Sequence, residues 1–67
     1  MNAPGQPLTL VERALAEGPA SAVTLARLTG LSPSVTRREC DMLVRLRKIE
    51  IIHEDGLYQK YRLREGA

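Results

Sequence analysis

Thr29-Gly30-Leu31-Ser32-Pro33 is the stretch that decides how this chain folds. Gly30 ends the helix before it, because glycine enters the left-handed region with no Cβ to clash. Ser32-Pro33 starts the next one. Serine caps the helix with its hydroxyl, and proline in the first helical position lacks only an N–H that has no partner there. Leu31, between stop and start, can tuck back as an apolar plug. Since only Thr29 to Ser32 separate the two helices, they must cross steeply.

Upstream, Ser21 can cap the helix that Gly30 ends, which carries Ala22, Leu25, Ala26 and Leu28 towards the core. Further upstream, Thr9 and Glu12 have the spacing of a capping box, and Leu10, Val11, Ala14 and Leu15 follow at helical spacing. Gly18-Pro19 closes that first helix, glycine as a left-handed cap and proline as a stop. Downstream of Pro33 the third helix is expected to run to about Lys48. At about 100° per residue, Val35, Thr36, Cys40, Leu43, Val44 and Leu46 share one broad arc. Arg37, Arg38, Asp41, Arg45 and Lys48 share the opposite one. Glu39 and Arg47 intrude on the apolar side, and Met42 sits at its margin. Helices 2 and 3 therefore read as a helix-turn-helix.

After Lys48 the period changes from helical to alternating. Ile49, Ile51 and His53 alternate with Glu50 and Ile52, and Asp55-Gly56 marks a tight turn. Beyond it Leu57, Gln59, Tyr61 and Leu63 alternate with Tyr58, Lys60, Arg62 and Arg64. This is a hairpin with an aliphatic inner face and a basic outer one. A two-residue Asp-Gly turn would place Ile51 opposite Lys60, which suits neither. A longer loop, roughly Glu54 to Tyr58, pairs Ile51 with Tyr61 and is the better reading.

Sixty-seven residues make one small domain, which buries only about 60% of its unfolded surface. With one cysteine and one histidine, neither an internal disulfide nor a Cys/His metal cluster is expected. No basic-then-apolar leader and no run of roughly 20 apolar residues appears, so a cytoplasmic protein is expected. Nor is there a nucleophile–base pair, glycine-rich phosphate loop or carboxylate dyad, so the chain reads as no enzyme and as needing no cofactor. Cys40 on the core arc reads as a small buried hydrophobe, and His53 as structural. Tyr61 reads as core and Tyr58 as half-exposed.

The net charge of +2 says less than its distribution. Charges cancel up to Thr36, whereas Arg37 to Lys48 hold five basic residues against two acidic ones. Glu50, Glu54 and Asp55 form an acidic patch, and Lys60, Arg62 and Arg64 restore positive charge. A basic stripe opposite an apolar one on a single helix suits insertion into the major groove of DNA.

Three stretches resemble the winged helix-turn-helix family of bacterial and phage regulators. Gly18 to Ser32 resembles its second helix and turn, with small Ala26 and Gly30 where the helices approach. Thr36-Arg37-Arg38-Glu39-Cys40-Asp41-Met42-Leu43 resembles the recognition helix of sugar-operon repressors of the DeoR type. Tyr61-Arg62-Leu63 resembles the closing strand of the wing. The fold expected is thus α+β, a three-helix winged helix-turn-helix with a C-terminal two-stranded hairpin as wing. It spans residues 8–64 between tails at 1–7 and 65–67.

The resemblance implies sequence-specific binding of double-stranded DNA, with helix 3 in the major groove and the wing on the adjacent backbone or minor groove. By position Ser34, Arg37, Arg38 and Asp41 would face base edges, while Ser32, Arg45, Lys48, Lys60, Arg62 and Arg64 would lie nearer phosphates. Of Arg37 and Arg38, about 100° apart, one would read a base and the other clamp a phosphate. Asp41 would accept from a cytosine amino group, or else pair with Arg37 or Arg45 one turn away, the commoner arrangement. With no room for a ligand-binding domain, control would act through concentration or a partner, and a second copy or a larger DNA-binding protein is expected to share so small an interface. The other reading is a protein-binding adaptor of the same fold. Two departures stand out. Arg47-Lys48 occupies the place where the family closes helix 3 with glycine, and the wing tip, Glu54-Asp55, is acidic.

Overall fold

A computed structural model of the chain describes residues 8–55 and 58–64; the tails at 1–7 and 65–67 and the turn residues Gly56 and Leu57 lie outside the described residues. The order is α1 (Leu10–Leu15), β1 (Ala20–Ser21), α2 (Ala22–Thr29), α3 (Pro33–Arg45), β2 (Ile49–Asp55) and β3 (Tyr58–Leu63). The fold is α+β: three helices and a three-stranded antiparallel sheet in the order β1-β3-β2.

Each helix starts on the residue whose side chain can accept from its unpaired N–H groups. Thr9 Oγ1 accepts from the Glu12 N–H at 3.2 Å, and Glu12 Oε1 accepts in return from the Thr9 N–H at 3.0 Å. Those bonds satisfy the Glu12 carboxylate although the residue is buried. Ser21 Oγ accepts from the Thr24 N–H and Ser32 Oγ from the Val35 N–H, each at 3.2 Å, with Pro33 as the first residue of α3. Glycines follow α1 and α2 with positive φ, Gly18 at +141° and Gly30 at +77°.

The third helix stops earlier than its sequence suggests. It ends at Arg45 rather than about Lys48, because Arg47 turns into the left-handed region at φ +63°. The Lys48 N–H then donates to the Leu43 carbonyl at 2.9 Å, and the Arg47 N–H to that of Val44 at 3.0 Å. These are the two bonds of a Schellman cap, made here around an arginine instead of a glycine. The reversal delivers Ile49 to the core, and it leaves Leu46, expected on the core arc, 57% exposed.

Opposite stability changes are therefore expected at two of the three positive-φ positions, Gly30 and Arg47. Gly30→Ala should cost about 1 kcal/mol from backbone strain alone, since an added Cβ meets nothing within 4 Å. Arg47→Gly should stabilise by up to about 1 kcal/mol by removing that strain. Urea denaturation of both variants checks the pair of signs.

The sheet differs from the expected two-stranded hairpin by one short strand. Ala20 and Ser21 pair with Tyr61 and Lys60, which puts β3 in the middle. Ile51 does face Tyr61, but through a bulge rather than a long loop. The pairs Ile49–Leu63, Glu50–Arg62 and Ile51–Tyr61 shift by one at Ile52, after which His53 faces Lys60 and Asp55 faces Tyr58. The extra residue corrects the register, and the strands continue to the tip.

Between sheet and helices lies one apolar core of Val11, Leu15, Ala20, Leu25, Cys40, Leu43, Ile49 and Tyr61, with Ala14, Ala22, Leu31, Val44 and Leu63 packed against it. Leu28, expected to point inward, is 61% exposed. It follows Leu25 by three residues, but the core side of α2 centres on Leu25, with Ala22 and Ala26 half-buried beside it.

Candidate nucleic-acid interface

The buried stripe of α3 positions its exposed one. Thr36, Cys40 and Leu43 are buried, which holds the helix in one rotation about its axis. Ser34, Arg37, Arg38, Asp41 and Arg45 then share the outward face, all exposed. Thr36 adds to the fixing: its hydroxyl donates to the Ser32 carbonyl at 2.9 Å, so a buried polar group is satisfied within the first turn. Ser32 is committed as the N-cap, and its hydroxyl lies 3.4 Å from that of Ser34.

Asp41 forms no ion pair with Arg37 or Arg45 among the described residues. All three side chains stand in solvent, where such a pair gains little against the entropy of fixing it. The face therefore presents arginine guanidinium groups that no carboxylate of the same face holds.

Past the helix, the basic residues divide. The Arg64 N–H donates to the Lys48 carbonyl at 3.2 Å, joining the residue after β3 to the residue before β2. That contact gathers two of the expected phosphate-binding residues at one end of the molecule. Lys60 is half-buried in the central strand. Arg62 is engaged within the sheet: its Nε donates to Glu50 Oε2 at 2.6 Å. Sequence reasoning missed this pair, although the Ile51–Tyr61 register it preferred also places Glu50 opposite Arg62. At the hairpin tip Glu54 and Asp55 are exposed, and Glu54 Oε2 accepts from Gln59 Nε2 at 2.8 Å.

Two reactive groups, Cys40 and Tyr61, belong to the core, whereas His53 and Tyr58 are exposed on the hairpin. Burial pushes the Cys40 thiol up to about 11, helped by the neighbouring Asp41 and Glu39 carboxylates and opposed by Arg37. Tyr61 is raised as well, first by burial and then by Cys40 and Asp41, and its hydroxyl donates to Gln59 Oε1 at 2.6 Å. His53 stands edge-on to Tyr58, with ring centroids 5.5 Å apart.

A thiol held neutral by burial is a poor nucleophile. Cys40 should resist alkylation by iodoacetamide at pH 8 in the folded protein and react quickly in urea. Its folded pKa lies above its unfolded value, so the stability it confers is complete below pH 9.0 and is lost as pH rises through about 11. The Tyr61 shift has the same sign. Stability measured from pH 8 to 11 should accordingly fall.

The chain matches no protein-family model, no curated protein and no solved structure. Among the described residues, no helix is long and apolar enough to cross a membrane.

Proposed function

We propose that this domain is a winged helix-turn-helix regulator that binds double-stranded DNA sequence-specifically, with α3 in the major groove. One observation carries the reading: Arg37, Arg38 and Arg45 line one exposed face of α3 while Thr36, Cys40 and Leu43 are buried on the other. Guanidinium groups on such a face reach guanine O6 and N7 bidentately and clamp phosphates on either side. The element order supports it too, since β1 closes a sheet whose other two strands form a hairpin that can serve as the wing. A domain of this size covers roughly 600–1,000 Å² of protein surface on DNA, so a second copy or a larger DNA-binding partner would share the site.

Direct titration of a labelled duplex at 50 and 200 mM salt tests the reading. Each phosphate contact contributes a log–log slope of about −0.9, so several contacts produce a steep loss of affinity. Affinity that salt does not alter contradicts it.

The hairpin favours a smaller share in binding than its charges suggest. Glu50 neutralises Arg62, and the exposed tip is acidic. Glu50→Gln should therefore tighten binding to any duplex severalfold and steepen the salt slope by up to about 0.9 as Arg62 is released. Unchanged affinity in that variant would place Arg62 away from the DNA. The same acidic tip favours the second reading, an adaptor whose hairpin meets a basic protein surface.

A further inference from the structure

Resting on the reading of α3 as a major-groove element, we propose that the groove between the N-terminal ends of α2 and α3 seats the methyl group of a thymine next to a guanine bound by Arg37. The groove has a volume of about 400 Å³ and is lined by Ala22, Val23, Ala26, Pro33, Ser34 and Arg37. Its walls are apolar apart from one hydroxyl and one guanidinium. Val23 is 69% exposed, and with Ala22, Ala26 and Pro33 it makes one continuous apolar lining rather than a lone exposed side chain.

What covers it follows from charge and from the chemistry of base edges. Among the described residues no carboxylate lines this groove, whereas Glu17 stands with Arg13 in the one between α1 and α2, and Glu50 pairs with Arg62 in the one beside the hairpin. Ala22 and Val23 open α2, and Pro33 and Ser34 open α3, so the positive ends of two helix dipoles flank the groove. An anionic polymer fits such a rim, and Arg37 is left there with no lining carboxylate to engage it.

Within the major groove the donors and acceptors of the base edges are polar; the distinctive apolar feature is the thymine methyl. An apolar recess beside an arginine thus matches a methyl beside the O6 and N7 acceptors of guanine. The small side chains of Ala22 and Ala26 leave room for a base edge to approach. Val23 and Pro33 supply the carbon surface that the methyl would cover.

Replacing thymine by deoxyuridine removes the methyl and keeps every hydrogen-bonding atom. In a duplex selected from a random pool, each thymine is replaced singly and affinity is measured by fluorescence anisotropy. One thymine beside the guanine whose preference Arg37→Ala relaxes should show a loss of about fourfold, the value of one buried methyl-sized carbon. In Val23→Ala that penalty should shrink towards one, and Pro33→Ala should reduce it as well. Leu28→Ala, on the other groove, should leave it intact. Tight binding of the selected duplex with uracil tolerated at every position overturns the groove assignment alone, and is the result expected if the groove holds a peptide side chain instead. An undiminished penalty in Val23→Ala overturns it too. No preference for a selected over a random duplex overturns both this inference and the function it rests on.

Discussion

Tyr61→Ala should unfold the domain. The residue is fully buried, the largest side chain in the core, and it stands at the centre of the sheet with Ala20 on one side and Ile51 on the other. Removing a buried aromatic ring costs about 3–5 kcal/mol through lost burial and the cavity left behind. A chain of this length has roughly 3–10 kcal/mol in total, so the variant should lie near or below its folding threshold at 25 °C. Tyr61→Phe is the control. It keeps the ring and gives up one hydrogen bond, to Gln59 in the same strand, so it should lose only about 1 kcal/mol. Circular dichroism with urea titration separates the two. Equal melting of Tyr61→Ala and the parent would mean that the core is not centred on β3.

The second large effect belongs to the α3 face. The triple variant Arg37→Ala, Arg38→Ala, Arg45→Ala should abolish measurable duplex binding and leave the fold intact. All three side chains are exposed and make no ion pair among the described residues, so the thermal midpoint should hardly move. A lost bidentate base contact costs about 1–3 kcal/mol and relaxes preference at one position. A lost phosphate contact weakens all duplexes and flattens the salt slope by about 0.9. Single variants sort the arginines: Arg37→Ala should change sequence preference and Arg38→Ala only the slope, and the reverse would also overturn the assignment of the α2–α3 groove. Lys60→Ala on the hairpin should behave as a phosphate contact. Uniform losses in all of these would make the protein a non-specific binder, and no loss in any would favour the adaptor.

The helix starts were legible because capping is local chemistry. Thr9 with Glu12, Ser21, and Ser32 with Pro33 each announce a helix within four residues, and each caps one. The rotation of α3 was legible as well, since its apolar residues recur at helical spacing and Cys40 and Thr36 fall among them. What escaped depends on contacts distant in sequence or on a single dihedral angle. β1 spans Ala20–Ser21, too short for any period, and exists because β3 has a free edge to offer. The bulge at Ile52 substitutes for a loop of different length, and both give the Ile51–Tyr61 pairing, although Ile51, expected on the inner face, is 39% exposed and only Ile49 of β2 is buried. Arg47 closes α3 in a conformation that its residue type does not advertise. At the candidate interface, the outward row on α3 could be read from spacing alone. The engagement of Arg62 by Glu50, and the groove at Val23, emerge only when strands and helices are placed side by side.

Base-edge recognition by α3 shows itself first as specificity. Anisotropy titrations of the parent protein against a duplex enriched from a random pool, and against random duplex of equal length, measure it in one buffer at physiological salt. Recognition of base edges by α3 predicts tighter binding to the enriched duplex by a factor on the order of a thousand. Equal affinities for the two duplexes, or no binding to either, would contradict it.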